Sequence, residues 1–172
     1  MSTAISVSWS TACGPPAEAP STWLIFHHVM VDFHPPPPKL HFVDTGLLAS
    51  LAGLDAEALR RDRALVGPIL ESFVAAELTK QLGWSTARPA LHHFRTHGGQ
   101  EVDLVLEDSR GRVVGIEVKA SATVTSSDLA GLRALAEIAG KAFVQGIVLH
   151  LGASQVSFGP GLTACPLEML WS

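Results

Sequence analysis

Asp103 and Glu117 are acids whose positions call for a cation. Both lie in QEVDLVLEDSRGRVVGIEVKAS, residues 100–121. Apolar residues alternate there at Val102, Leu104 and Leu106, then at Val114, Ile116 and Val118, the period of two expected of strands. Asp108-Ser109-Arg110-Gly111 between them is turn chemistry. A hairpin centred near Arg110 sets Asp103 directly across from Glu117, both on the face opposite the apolar one, and Lys119 shares that face. Opposed carboxylates repel and require a bound cation or a raised pKa. Hard oxygen ligands of this kind suit Mg²⁺ or Mn²⁺, which keep several waters and use substrate phosphate. A lysine beside such an ion stabilises developing negative charge. Asp103, Glu117, the Val118 carbonyl and Lys119 therefore have the parts for metal-assisted phosphodiester hydrolysis.

The elements around the hairpin must bring further groups to it. Gly67-Pro68 opens a long helix with an apolar stripe at Ile69, Leu70, Phe73, Val74 and Leu78. At about 100° per residue, Glu77 projects near the middle of that stripe and Glu71 at its edge. An acid on a core-facing stripe needs a partner, either an ion pair or the hairpin's cation. Either Glu71 or Glu77 can therefore complete the shell or orient a water. A strand around Leu91 to Arg95 and a turn at His97-Gly98-Gly99 lead into the hairpin, making a three-stranded antiparallel meander. His92 and His93 point to opposite faces, so at most one reaches the site. A Glu101–Lys119 cross-strand pair would explain the lysine without catalysis, but not Asp103 opposite Glu117.

Upstream, Leu40 to Val43 reads as a short strand, and Asp44 or Thr45 can cap a helix through Leu47, Leu48, Leu51 and Leu54. Arg60, Arg61 and Arg63 read as a solvated face. Downstream, Ser126 or Ser127 can cap a helix through Leu129, Leu132, Leu135 and Ile138. Strands at Phe143 to Leu149 and around Val156 to Phe158 follow, then a final turn from Pro166 to Trp171. The order predicts an α/β layered fold with a mixed sheet.

The 172 residues suit one domain with a genuine core, 47% of them hydrophobic. No apolar run approaches the ~20 residues of a membrane span. A net charge of −4 advertises no global affinity for nucleic acid, so such contact requires a local patch. Cys13 and Cys165 form no disulfide framework, which makes a reduced cytoplasm the default. Residues 1–38 contain no Lys or Arg and end in Pro35 to Pro38. They are expected to be a poorly ordered, Pro-rich segment, with no basic region to suggest a secretory signal. His27, His28 and His34 lack the acids or cysteines of a metal site. Residues 39–172 form the expected domain.

Asp103 followed by Glu117-Val118-Lys119 resembles the active-site signature of the PD-(D/E)XK nucleases, which have the restriction-endonuclease-like fold. GPILESFVAAEL, FRTHGGQEVDLVLE, GIEVKAS and FVQGIVLHLG, in that order, resemble the C-terminal domain of unknown function in a prokaryotic family of AAA-type ATPases. PPKLHFVDTGLLASL resembles the segment that leads into it. The resemblance spans roughly Lys39 to Trp171. It implies a nuclease-like domain acting on DNA, with Asp103 and Glu117 as ligands of Mg²⁺ or Mn²⁺, Lys119 as the catalytic cation and Glu71 as the supporting helix acid. The proline that precedes the aspartate in the superfamily's name is replaced by Glu101-Val102. The family's upstream ATPase is also missing, since the chain has no G-x-x-x-x-G-K-[ST]. A separate ATPase chain is the implied partner. The alternative readings are a catalytically idle module that binds DNA or protein, or a fragment of a split ATPase gene.

Overall fold

The computed structural model describes residues 39–96 and 98–171. The Pro-rich segment 1–38, with its histidines and Cys13, lies outside the described residues.

Asp44 starts α1 (Thr45–Leu51) by accepting the Leu47 N–H at 2.9 Å, a side-chain cap that satisfies one orphan donor. Asp55 does the same for α2 (Ala56–Arg61), taking the Ala58 N–H at 2.7 Å. The long helix α3 (Val66–Trp84) carries Pro68 in its first turn, where a missing N–H removes no helical bond. Its buried side is Ser72, Val74, Ala75 and Leu78. Phe73, expected on the stripe, instead rests its ring 5.8 Å from that of Trp171.

Six strands form one mixed sheet: β1 (Ala90–Arg95), β2 (Glu101–Glu107), β3 (Val113–Lys119), β4 (Phe143–His150), β5 (Val156–Ser157) and β6 (Leu162–Pro166), in the spatial order β1-β2-β3-β4-β6-β5. The first three pair antiparallel, while β3, β4 and β6 run parallel. The parallel step from β3 to β4 requires a crossover, supplied by α4 (Ala130–Ala139). That helix is preceded by a 3₁₀ turn capped by Thr125 in a reciprocal box with Asp128, not by Ser126 or Ser127 as expected.

The sheet is buried on both faces. Against α3 lie Leu104, Leu106, Val114, Ile116, Ile147 and Leu149. Against α4 lie Val102, Val105, Val113 and Val148, with Leu129, Leu132 and Leu135 fully buried above them. Two glycines let α4 settle this closely. A Cβ on Gly131 would lie 1.7 Å from the Glu101 carbonyl oxygen, and one on Gly115 would lie 2.7 Å from Leu132 Cδ2.

Two sequence expectations fail here. Leu40 to Val43 is not a strand. Among the described residues it has no partner strand, and Leu40 and Val43 are 89% and 94% exposed. Strand β6 was not anticipated, because Gly159, Pro160 and Gly161 before it and Pro166 at its end read as turn residues. In the fold it is an interior strand, with Ala164 and Cys165 buried.

Candidate functional site

The hairpin register is the one its turn dictates. Leu104 pairs with Ile116, Leu106 with Val114, and Glu107 with Val113, and the ladder stops one step short of Asp103 and Glu117. The turn itself is held by Asp108, whose carboxylate accepts the Arg110 and Arg112 N–H groups and Arg112 Nε at 2.9, 2.7 and 2.9 Å. Gly111 supplies the positive φ of +72° that the reversal needs.

Simple alternation fails at Asp103. His92 pairs with Val105 and Phe94 with Val102, so Asp103 and Leu104 together oppose His93. This bulge shifts Val102 to the α4 side and re-aims Asp103. Asp103, Glu117 and Lys119 therefore do not share one face. Glu117 and Lys119 share the α4 side with Gly115. Asp103 Oδ1 accepts from Lys39 Nζ at 2.7 Å, the same ammonium that meets Glu71 on α3, while Oδ2 accepts the Val118 N–H at 2.9 Å. The three groups meet at the end of the sheet where β2 and β3 part.

Their electrostatics are uneven. Burial first, and the Asp103 charge second, push Glu117 from 4.5 to about 7, although Lys119 pulls in the opposite direction. Lys119 Nζ sits 2.8 Å from Glu117 Oε1. Burial opposes the Lys119 charge, but its hydrogen bond to Glu117 and the charges of Glu117, Asp103 and Asp128 outweigh it and raise its pKa. The Glu101–Lys119 pair is absent, because Glu101 lies 2.9 Å from Arg95 instead.

The two helix acids separate clearly. Glu71 Oε1 lies 2.7 Å from Lys39 Nζ and joins the site through it. Glu77 lies elsewhere, paired with Lys80 and accepting Trp171 Nε1 at 3.2 Å. The lysine's hydrogen bond is the main reason its pKa falls. Of the two histidines on β1, His92 lies 3.6 Å from Glu107, while His93 has Lys39, His41 and Glu101 as charged neighbours and is lowered mainly by burial.

Sequence reasoning missed Lys39, His41 and His150. Lys39 and His41 turn inward while Leu40 and Val43 face solvent, the reverse of the usual alternation. His41 Nε2 is 3.9 Å from Glu71, and burial lowers its pKa. His150 is 3% exposed, pairs with Lys119 in the β3–β4 ladder, and accepts the Gly152 N–H on Nδ1 at 3.0 Å. Among the described residues, three buried side-chain atoms have no hydrogen-bond partner: Glu117 Oε2, His41 Nδ1 and His150 Nε2. All three belong to residues at or beside this end of the sheet. Buried polar atoms left unpaired are costly, which makes this end of the sheet the candidate site.

The donor chemistry fits a hard divalent cation, with Glu117 Oε2 as the open oxygen and Asp103 beside it. Among the described residues, no group of three or more His, Cys, Asp or Glu side chains is placed to hold a metal. These site residues line neither of two surface pockets. One of about 280 Å³ is lined by Leu78, Trp84, Leu106 and Met169, and another by Glu77, Trp84 and Trp171. Among the described residues, no helix is long and apolar enough to cross a membrane.

Comparison with known proteins places this arrangement in a family. The uncharacterized proteins Rv2008c of Mycobacterium tuberculosis and Mb2031c of Mycobacterium bovis are each 36% identical to the chain over 90 residues. That match covers 52% of this chain and 19% of each relative, so the chain spans about a fifth of their length. No solved structure matches. Residues 66–170, from the start of α3 to the last turn, match the domain of unknown function DUF4143, and the chain belongs to that family.

Proposed function

We propose that this domain is a metal-dependent nuclease-like module acting on DNA, of the PD-(D/E)XK kind that its hairpin resembles. The observation that carries the reading is Glu117: a buried carboxyl beside Asp103, pushed to about 7, with Oε2 unpartnered. A group so placed gains from a divalent cation, which supplies the missing positive charge. Asp103 and Glu117 would hold Mg²⁺ or Mn²⁺, which would polarise a phosphodiester and stabilise its developing charge.

The chain's own residues do the rest. The Val118 N–H fixes the Asp103 carboxylate. Glu117 holds Lys119, whose side chain is 34% exposed, at the rim, where its ammonium can meet a phosphate oxygen. Glu71 acts through Lys39. The test is cleavage of single-stranded, duplex and branched DNA with Mg²⁺ or Mn²⁺. Asp103→Ala and Lys119→Ala are expected to abolish cleavage, and rates equal to wild type would refute the reading.

A second reading is a module that binds DNA or protein without cutting. It is favoured by Lys39, which already bridges Glu71 and Asp103 and offsets one of their two charges without a metal. Melting in millimolar Mn²⁺ separates the two readings. An ion that binds only the folded chain raises Tm, and an unchanged Tm favours the idle module.

A further inference from the structure

Lys39 joins two acids from separate elements. Its Nζ is 2.7 Å from Glu71 Oε1 on α3 and 2.7 Å from Asp103 Oδ1 on β2. The three side chains are 28%, 21% and 13% exposed, so the cluster is partly dehydrated and its charges are felt strongly. The lysine is not carried there by an apolar strand, since Leu40 and Val43 beside it are almost fully exposed. Polar side chains turned inward, Lys39 and His41, hold residues 39–43 against the site.

This bridge changes what remains available to an ion. Asp103 Oδ1 is taken by Lys39, and Oδ2 by the Val118 N–H. Glu117 Oε1 is taken by Lys119, and only Oε2 is unpartnered. A divalent cation on Asp103 would sit a few ångströms from the Lys39 ammonium, and two positive charges that close in a half-buried site repel. With all three acids ionised, Glu71, Asp103 and Glu117 carry three negative charges, and Lys39 and Lys119 return two.

Resting on the metal reading above, we propose that Lys39 is the residue that sets the site's demand for metal: its ammonium competes with the divalent cation for Asp103. Glu71 serves as the second anchor that keeps the lysine in place. The domain thus carries a cation of its own, and a divalent ion binds by displacing the lysine from Asp103.

The test is Mn²⁺ binding without DNA, read by calorimetry and by electron paramagnetic resonance of the free ion, with folding checked by circular dichroism. Lys39→Met is expected to bind Mn²⁺ on the order of tenfold more tightly than wild type, because one competing charge is gone. Lys39→Arg, which keeps the charge, is expected to bind as wild type does. Should Lys39→Met fail to fold, Lys39→Gln decides: it removes the charge but keeps a polar end between Glu71 and Asp103, and it is expected to bind Mn²⁺ more tightly than wild type, whereas equal or weaker binding overturns the proposal. Equal or weaker binding by a folded Lys39→Met overturns the competition and leaves the metal reading standing. Absence of binding in wild type and every variant overturns both.

Discussion

Replacing Glu117 by glutamine in metal-free protein isolates the strain of burying this carboxylate. Burial and Asp103 raise it from 4.5 to about 7. At about 1.4 kcal/mol per pH unit, that corresponds to roughly 3 kcal/mol. The folded chain keeps the Glu117 proton to higher pH than the unfolded chain does. This contribution to stability is therefore complete below about pH 4.5, falls through the window from 4.5 to 7, and is lost above it. Glutamine does not titrate, so the stability of Glu117→Gln relative to wild type should rise by about 3 kcal/mol across that window. The same window contains an opposing trend. His41 and His93 are lowered mainly by burial, so the unfolded chain binds their protons first and stability rises with pH toward 6.5. Both histidines are present in both proteins and largely cancel in the difference. Urea unfolding at pH 5, 6, 7 and 8 measures it. A difference that stays constant within about 0.5 kcal/mol, the usual tolerance of such comparisons, would refute the claim that burial and Asp103 destabilise the Glu117 charge.

The other expectations concern the frame around the site. Gly131→Ala would place a Cβ 1.7 Å from the Glu101 carbonyl oxygen and force α4 away from β2. It should destabilise by about 3 kcal/mol, at the upper end for overpacking, as measured by urea unfolding. Asp108→Ala removes the 1% exposed carboxylate that accepts from the Arg110 and Arg112 amides in the turn. A loss of about 1–3 kcal/mol is expected, with earlier amide exchange in the β2–β3 hairpin than in β4. Glu77→Gln should leave Mn²⁺ affinity and any DNA cleavage at wild-type values, since its partners are Lys80 and Trp171.

The sequence alone determined the local pieces and their order. Alternating apolar residues and turn chemistry at Asp108 to Gly111 specify the β2–β3 hairpin and its register, because side chains on a strand repeat every two residues. The Asp44 cap, the helix opened at Gly67-Pro68 and the strands at Leu91 to Arg95 and Phe143 to Leu149 were legible for the same local reasons. Strand β6 was not. A short Gly- and Pro-flanked run gains its strand identity from β4 beside it rather than from its own pattern.

For the candidate site, the sequence supplied Asp103, Glu117, Lys119 and a choice between two helix acids. Tertiary structure decided how they meet. The bulge at Asp103 and Leu104 breaks the alternation that would have left all three hairpin groups on one face, and bulges depend on the neighbouring strand. Glu71 joins the site and Glu77 does not, because helix periodicity gives an angle but not the element that α3 packs against. Lys39 was invisible for a similar reason. Its two acids lie 32 and 64 residues away in the chain, and only the docking of α3 against the sheet brings them within reach of one ammonium.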